Sequence, residues 1–252
     1  MIDIVSGHAA IDRYLADGYD RVRGMSSRFA AAICGHVIRR QTELGIAGDI
    51  VEIGTFEGRF FIALALGLAD GETALGVDTF HWPDDGVLAR LTANCAAHGL
   101  ADDRYTAWKA DSRTVTADEL RAKLGGRPVR FFHIDGDHYY QSLSNDLELA
   151  HAVLHPDGVI CVDDMLHPEY PTLITAVLDY LARHPEMRVV CIVDREDIVA
   201  AAKFLLCRSE AVARYEQDLM ASFKPFHYVM GAELVTHWAV VLTPKPRVLE
   251  IK

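Results

Sequence analysis

"VRFFHIDGDHYYQSL" (129–143) decides how this chain is read. A continuous apolar run ends abruptly in Asp135, Asp137 and His138, and a helical pattern follows at once. An apolar run without alternation is a strand buried on both faces, as in a parallel sheet covered by helices. The acids then mark the point where the strand leaves the core. In open α/β sheets that carboxyl edge is where ligands bind.

The pattern repeats on both sides of this stretch. "DIVEIG" (49–54), "TALGVD" (73–78), "YTAWKAD" (105–111), "GVICVDD" (158–164) and "MRVVCIVD" (187–194) read as strands, and "AAKFLLCR" (201–208) as a seventh. Helices are expected from about Glu57 to Ala69 and through "GVLARLTANCAAHG", "TADELRAKLGG", "YYQSLSNDLELAHAVL" and "YPTLITAVLDYLARHP". Strict alternation implies right-handed crossovers and helices on both faces of the sheet. The predicted fold is α/β, a doubly wound, mostly parallel seven-stranded sheet. Residues 1–45 form a helical cap, 46–208 the core, and 209–252 a C-terminal extension. In that extension "SEAVARYEQDLM" looks helical and "FHYVMGAELVTHWAVVLTP" strand-like, suited to an edge or a subunit contact. The first five strands end in, or run into, Gly54, Asp78, Asp111, Asp135 and Asp163–Asp164. Those ends share one edge, so their polar groups converge.

The totals narrow the function classes. The chain has 252 residues, half of them hydrophobic, enough for one large domain. A formal net charge of -11 argues against a nucleic-acid partner, which needs a basic surface. The five cysteines form no CxxC pair, and the odd count fits reduced thiols in the cytoplasm. No signal-peptide pattern opens the chain, and the longest apolar run, in "FFIALALGLADG", is too short for a bilayer. No membrane association is therefore expected.

"VEIGTFEGRF" carries Glu52, Gly54, Thr55 and Gly58 from the first strand into a helix. Gly54 permits a tight turn, and Gly58 lets a ligand approach a helix N-terminus. The dinucleotide fingerprint GxGxxG is absent, with Phe56 at its second glycine, and this argues against a dinucleotide oxidoreductase. Asp78 can accept hydrogen bonds from both hydroxyls of a ribose. Asp111 and Ser112 lie in reach of an adenine amino group, although Asp111 also suits a helix N-cap. Three such groups in order resemble class I S-adenosylmethionine-dependent methyltransferases, over roughly residues 25–208. The resemblance implies a Rossmann-like fold with S-adenosylmethionine as cofactor. It implies Glu52, Gly54, Thr55 and Gly58 at the methionine half, Asp78 at the ribose, and Asp111 and Ser112 at the adenine. "VRGMSSRF" (22–29) is similar to the loop that closes over cofactor in related enzymes, which points to Met25 and Ser26.

The opening stretch follows from the same frame. If the fourth and fifth strands are neighbours, Asp135, Asp163 and Asp164 meet, and three close anions repel unless a proton or cation intervenes. Oxygen ligands suit Mg²⁺, Mn²⁺ or Ca²⁺ and not zinc. The arrangement resembles metal-dependent O-methyltransferases such as the catechol and caffeoyl-CoA enzymes, and more nearly bacterial enzymes acting on sugars and natural products. That implies a hydroxylated small-molecule acceptor. His138, three residues past Asp135 where the catechol enzymes carry a lysine, is the candidate general base or a metal-orienting group. His133 is expected as a packed core histidine and Asp137 as a helix cap or supporting group. His167 and Tyr170 could touch substrate or merely build a loop; Trp82 is expected in packing. The alternatives are a metal-independent O- or N-methyltransferase and a non-catalytic cofactor-binding or assembly protein. A homo-oligomer is expected from the aromatic tail.

Overall fold

The computed structural model describes residues 4–227 and 231–245. Residues 1–3 of the expected cap, and 228–230 and 246–252 of the expected extension, lie outside the described residues. Helices α1 (Ala9–Asp17) and α2 (Arg28–Glu43) precede the first strand. Ser27 starts α2 by accepting a hydrogen bond from the Ala30 N–H at 2.9 Å. There follow β1 (Asp49–Ile53), α3 (Arg59–Ala65), β2 (Ala74–Asp78), α4 (Val87–Ala97) and β3 (Tyr105–Lys109). Next come α5 (Ala117–Lys123), β4 (Val129–Ile134), α6 (Tyr140–Val153), β5 (Leu154–Met165) and α7 (Thr172–Arg183). The chain continues through β6 (Met187–Val193), β7 (Ala202–Arg208), α8 (Ser209–Ser222), β8 (Ala232–Leu234) and β9 (His237–Leu242).

The sheet runs β3-β2-β1-β4-β5-β7-β6-β9-β8, nine strands where seven were expected. The difference is the tail, whose β9 pairs parallel with β6 and whose β8 closes antiparallel on β9. Five strands, β3 to β5 in spatial order, are parallel; β7 inserts antiparallel between β5 and β6. Helix α3 is shorter than its apolar pattern, starting after Gly58 and ending before the Gly67 turn.

Each strand feeds two cores. Ile50, Phe131, Cys161 and Leu205 pack on one face with α1–α4 and α8. Val51, Phe132, Ile160 and Leu206 pack on the other with α5, α6 and α7. Two-sided burial is why these strands read as unbroken apolar runs. The register aligns Val77, Ile53, Ile134 and Val162 across β2, β1, β4 and β5. The next residue of each strand is Asp78, Gly54, Asp135 or Asp163, so the polar groups share one row at the carboxyl edge.

Away from this edge, Arg130 is fully buried. It donates to the carbonyls of Ile38, Gly48 and Gly67 and pairs with Glu72 at 2.6 Å. Among the described residues no helix is long and apolar enough to cross a membrane.

Candidate active site

The β1–α3 turn approaches β4 closely. Gly54 has φ +86°, and a Cβ there would stand 1.8 Å from the Asp135 carbonyl oxygen. Gly58 has φ +92°, and a Cβ there would meet Leu91 Cδ1 at 2.5 Å. Only glycine satisfies both demands at these positions. Asp78 ties this turn to the next one: Oδ2 accepts from the Phe56 N–H and Oδ1 from the Phe80 N–H, both at 2.8 Å. Oδ1 also accepts from the Thr79 hydroxyl at 3.4 Å, while Oδ2 retains a lone pair for a further donor.

Glu52 is buried, and its Oε1 pairs with His133 Nδ1 at 2.7 Å. Its Oε2 and the Thr55 hydroxyl are buried without a hydrogen-bond partner. Unmatched buried polar atoms beside a glycine turn fit a polar cofactor that would complete their hydrogen bonds. Asp111 caps the turn Ser112–Thr114, as its alternative reading held, accepting from the Arg113 N–H and pairing with the guanidinium at 2.6 Å. The Arg113 hydrogen bonds hold its carboxyl below the usual range. The Ser112 carbonyl is held by Asn145 at 2.8 Å.

The N-terminal segment crosses this edge. Tyr19 donates to the carbonyls of Ser26 and Ser27, and Arg59 donates to the Gly24 carbonyl at 2.7 Å. Ser26 is buried and its hydroxyl lies 3.1 Å from Asp163 Oδ2 and 3.4 Å from Asp135 Oδ2. Met25 is half exposed above it, and Trp82, exposed, packs on Phe56 with ring centroids 5.6 Å apart.

Asp163 and Asp164 part ways. Consecutive strand residues face opposite sides of a sheet. Here the β5–β7 register also shifts between Val162 and Met165, and Asp164 adopts φ +57°. A bulge of this kind re-aims side chains. Asp163 Oδ1 accepts from the Asp164 N–H at 2.7 Å, and its Oδ2 pairs with the buried Lys203 ammonium. Asp164 Oδ2 instead meets His138 Nε2 at 2.8 Å. Burial works against charge on both Asp164 and His138. Their contact outweighs it, lowering the Asp164 carboxyl and raising the His138 imidazole.

Asp135 is pushed well up, by burial and then by Asp163. Asp135, His138 and Asp164 each offer a donor atom within 4.8 Å of the others; so do His133, Asp135 and Asp163. The three acids expected to form one group are thus divided between two donor sets that share Asp135. Lys203 Nζ stands against the second set, 3.4 Å from His133 Nε2. A cavity of about 10 Å³, room for one water or small ion, opens among Asp135, Asp137, His138, Asp163 and Asp164. A larger hollow between α6 and α7, lined by Glu148 and Arg183, holds none of these acids.

His138 stacks on Tyr170 at 4.2 Å, and Tyr170 on His167 at 4.6 Å. His167 Nδ1 accepts from the Glu169 N–H, so its Nε2 carries the proton donated to the Ile198 carbonyl. That ring is committed to holding loops, and Tyr170 is the one placed beside His138. Asp137 accepts from the Ser142 hydroxyl at 3.0 Å. His133 is fully buried, as expected of a core residue, but it is also polar-bonded at both nitrogens. Burial, then Lys203, keeps it neutral.

Sequence reasoning missed Lys203 and Asp146. Lys203 lies in an apolar strand with no acid near it in sequence. Asp146 lies within α6, fully buried, with its carboxyl pushed up to about 6 by burial. A polar residue inside an amphipathic pattern was the one signal either offered.

Residues 51–165 match a family model described as a methyltransferase domain. The calicheamicin methyltransferase CalS11 shares the fold at TM-score 0.56 and 17% identity, covering 83% of this chain and 95% of that one. The O-methyltransferase NovP does so at TM-score 0.57 and 15% identity, over 72% and 80%. TomG from Streptomyces achromogenes, an O-methyltransferase solved with S-adenosylmethionine, gives TM-score 0.53 and 18% identity, over 79% and 89%. No curated protein matches the sequence. At these identities the solved structures show the fold alone, and the family match shows that residues 51–165 resemble a methyltransferase domain.

Proposed function

We propose that the protein transfers the methyl group to a hydroxyl of a small molecule with the help of a divalent cation. The observation that supports this most is the ion-sized cavity among Asp135, Asp164 and His138, one row from the glycine turn. Glu52, Gly54, Thr55 and Gly58 face the methionine half of the cofactor, Asp78 the ribose, and Asp111 and Ser112 the adenine. Met25 and Ser26 cover it from the N-terminal segment. The N-terminal helices and the tail strands are read as parts of this one catalytic unit. The acceptor is read as a sugar or natural-product phenol, in keeping with CalS11, a TDP-rhamnose 3'-O-methyltransferase.

The chain's own groups set up the proton transfer. Asp164 accepts the His138 Nε2 proton, which leaves the Nδ1 lone pair free for an acceptor hydroxyl. Tyr170 fixes the ring plane by stacking, and stands where an acceptor would enter. Asp135 and Asp164 would hold Mg²⁺ or Mn²⁺, which lowers a bound hydroxyl's pKa and fixes its direction. Holding the two reactants in line supplies up to about 7–11 kcal/mol of barrier reduction. The apolar Val235 and Trp238, exposed on the β8–β9 hairpin at the sheet edge, favour a homo-oligomer.

Calorimetric titration with S-adenosylhomocysteine and with Mn²⁺ tests the reading. Asp135→Asn should lose Mn²⁺ binding while S-adenosylhomocysteine affinity stays within about threefold, a change of roughly 0.7 kcal/mol. Mn²⁺ binding unchanged in that variant overturns the metal assignment. The fixed ammonium of Lys203 favours one second reading, methyl transfer without a metal, marked by turnover that is insensitive to EDTA.

A further inference from the structure

Lys203 is the one buried lysine among the described residues, and it lies at the carboxyl edge. The ammonium contacts Asp163 Oδ2, the Ser26 hydroxyl at 3.2 Å and His133 Nε2 at 3.4 Å, and it sits over the Phe60 ring at 4.6 Å. The buried ammonium forms an ion pair with Asp163, its carboxylate partner in the site. Asp163 in turn has both oxygens engaged, one by the Asp164 N–H and one by Lys203 and Ser26.

We propose that Lys203 is a resident cation that withdraws Asp163 from metal coordination, leaving Asp135 and Asp164 as the carboxylates that hold the divalent ion. The inference rests on the metal reading above and refines it. A divalent ion touching Asp163 Oδ2 would stand against an ammonium with no solvent between them, and like charges at that range repel strongly. The backbone enforces the same division, because the bulge after Val162 and the left-handed Asp164 turn the two side chains apart. Mg²⁺ and Mn²⁺ accept such a set, since one or two carboxylates with water and substrate oxygens complete their coordination. Lys203 is therefore a positioning residue. It converts Asp163 from a ligand into an anchor for Ser26, and Ser26 carries the N-terminal segment across the edge.

Mn²⁺ binding, read by calorimetry and by the electron paramagnetic resonance of free Mn²⁺, tests this on the full chain with S-adenosylhomocysteine present. Lys203→Met with Asp163→Asn removes both charges together, so no buried ion is left unpaired. That double variant should keep the Mn²⁺ dissociation constant within about threefold of wild type. Asp164→Asn should weaken it at least tenfold, roughly the loss seen when a metal's supporting groups are removed. Lys203→Met alone frees Asp163 and removes a repelling charge, and should tighten Mn²⁺ about fivefold or more. A merely structural lysine would not produce that gain. Loss of Mn²⁺ binding in the double variant as large as in Asp164→Asn overturns the inference and restores Asp163 as a ligand. So does a folded Lys203→Met with unchanged affinity; if Lys203→Met does not fold, the double variant decides. Wild type that binds no Mn²⁺ overturns the metal reading itself and this inference with it, a result distinct from loss in the Asp163 variant alone.

Discussion

Gly54→Ala probes the contact on which the site depends. Real Cβ atoms stay beyond about 3.0 Å of such neighbours, and here the Cβ would begin 1.8 Å from the Asp135 carbonyl oxygen. The two strand ends must therefore separate by about 1.2 Å, the difference of those distances. That carries the Asp135 N–H away from the Ile53 carbonyl, now 2.8 Å apart. A lost backbone hydrogen bond costs about 1 kcal/mol. A non-glycine residue in the left-handed region costs roughly 1–2 kcal/mol. With the displaced packing, a loss of about 3 kcal/mol is expected, or roughly 6–12 °C in melting temperature for a chain of this size. A shift of about 1 Å at a reacting group can also lower turnover about 100-fold. Scanning calorimetry measures the loss of stability, and Mn²⁺ titration reads the displacement of Asp135. Gly45→Ala is the control, since Gly45 has φ +73° with nothing within 4 Å of its Cβ position. It should cost only about 1 kcal/mol. If Gly54→Ala melts with Gly45→Ala and binds Mn²⁺ as wild type does, the close approach does not hold Asp135 in place.

Two further outcomes test the frame around the site. Arg130→Met should lower stability by about 3–5 kcal/mol, because it leaves the buried Glu72 without its charge partner and removes a donor from three carbonyls; denaturant unfolding with less than about 1 kcal/mol lost would refute the role given to this ion pair. Asp218 pairs with His36 at 2.7 Å and Arg40 at 2.8 Å. Burial raises its carboxyl, but these partners outweigh that and hold it low. A folded pKa below the unfolded value, about 3.9, stabilises the fold above that pH and loses the contribution as pH falls through the folded value. Asp218→Asn should thus cost about 1.5–3 kcal/mol at neutral pH, a difference that shrinks as pH falls through the folded value. A pH-independent difference between variant and wild type would contradict this assignment.

The alternating apolar runs and the acids that close them were legible because each signal is local. A strand buried on both faces must be apolar at every position, and its first polar residue marks its exit. Gly54, Asp78, Asp135 and Asp163 therefore announced one edge before any contact was known. Strand order was implied only as far as the parallel crossovers reach, up to β5. The tail gave apolar and aromatic residues, yet whether it capped an edge or extended the sheet depended on which edge was free, and β6 supplied that edge to β9.

The finer geometry of the acids belongs to the tertiary structure. From sequence, Asp163 and Asp164 were an inseparable pair. The bulge against β7 separates them, because a register shift in one strand is set by the hydrogen bonds of its partner. Lys203 reads in sequence as a polar interruption of "AAKFLLCR". It enters the site only because β7 inserts antiparallel between β5 and β6, laying its start against the end of β5. Local burial is written along the chain, so the sequence by itself determined the layers and their chemical edge. Which ammonium faces which carboxylate depends on pairing between strands some forty residues apart, and the folded sheet alone decided it.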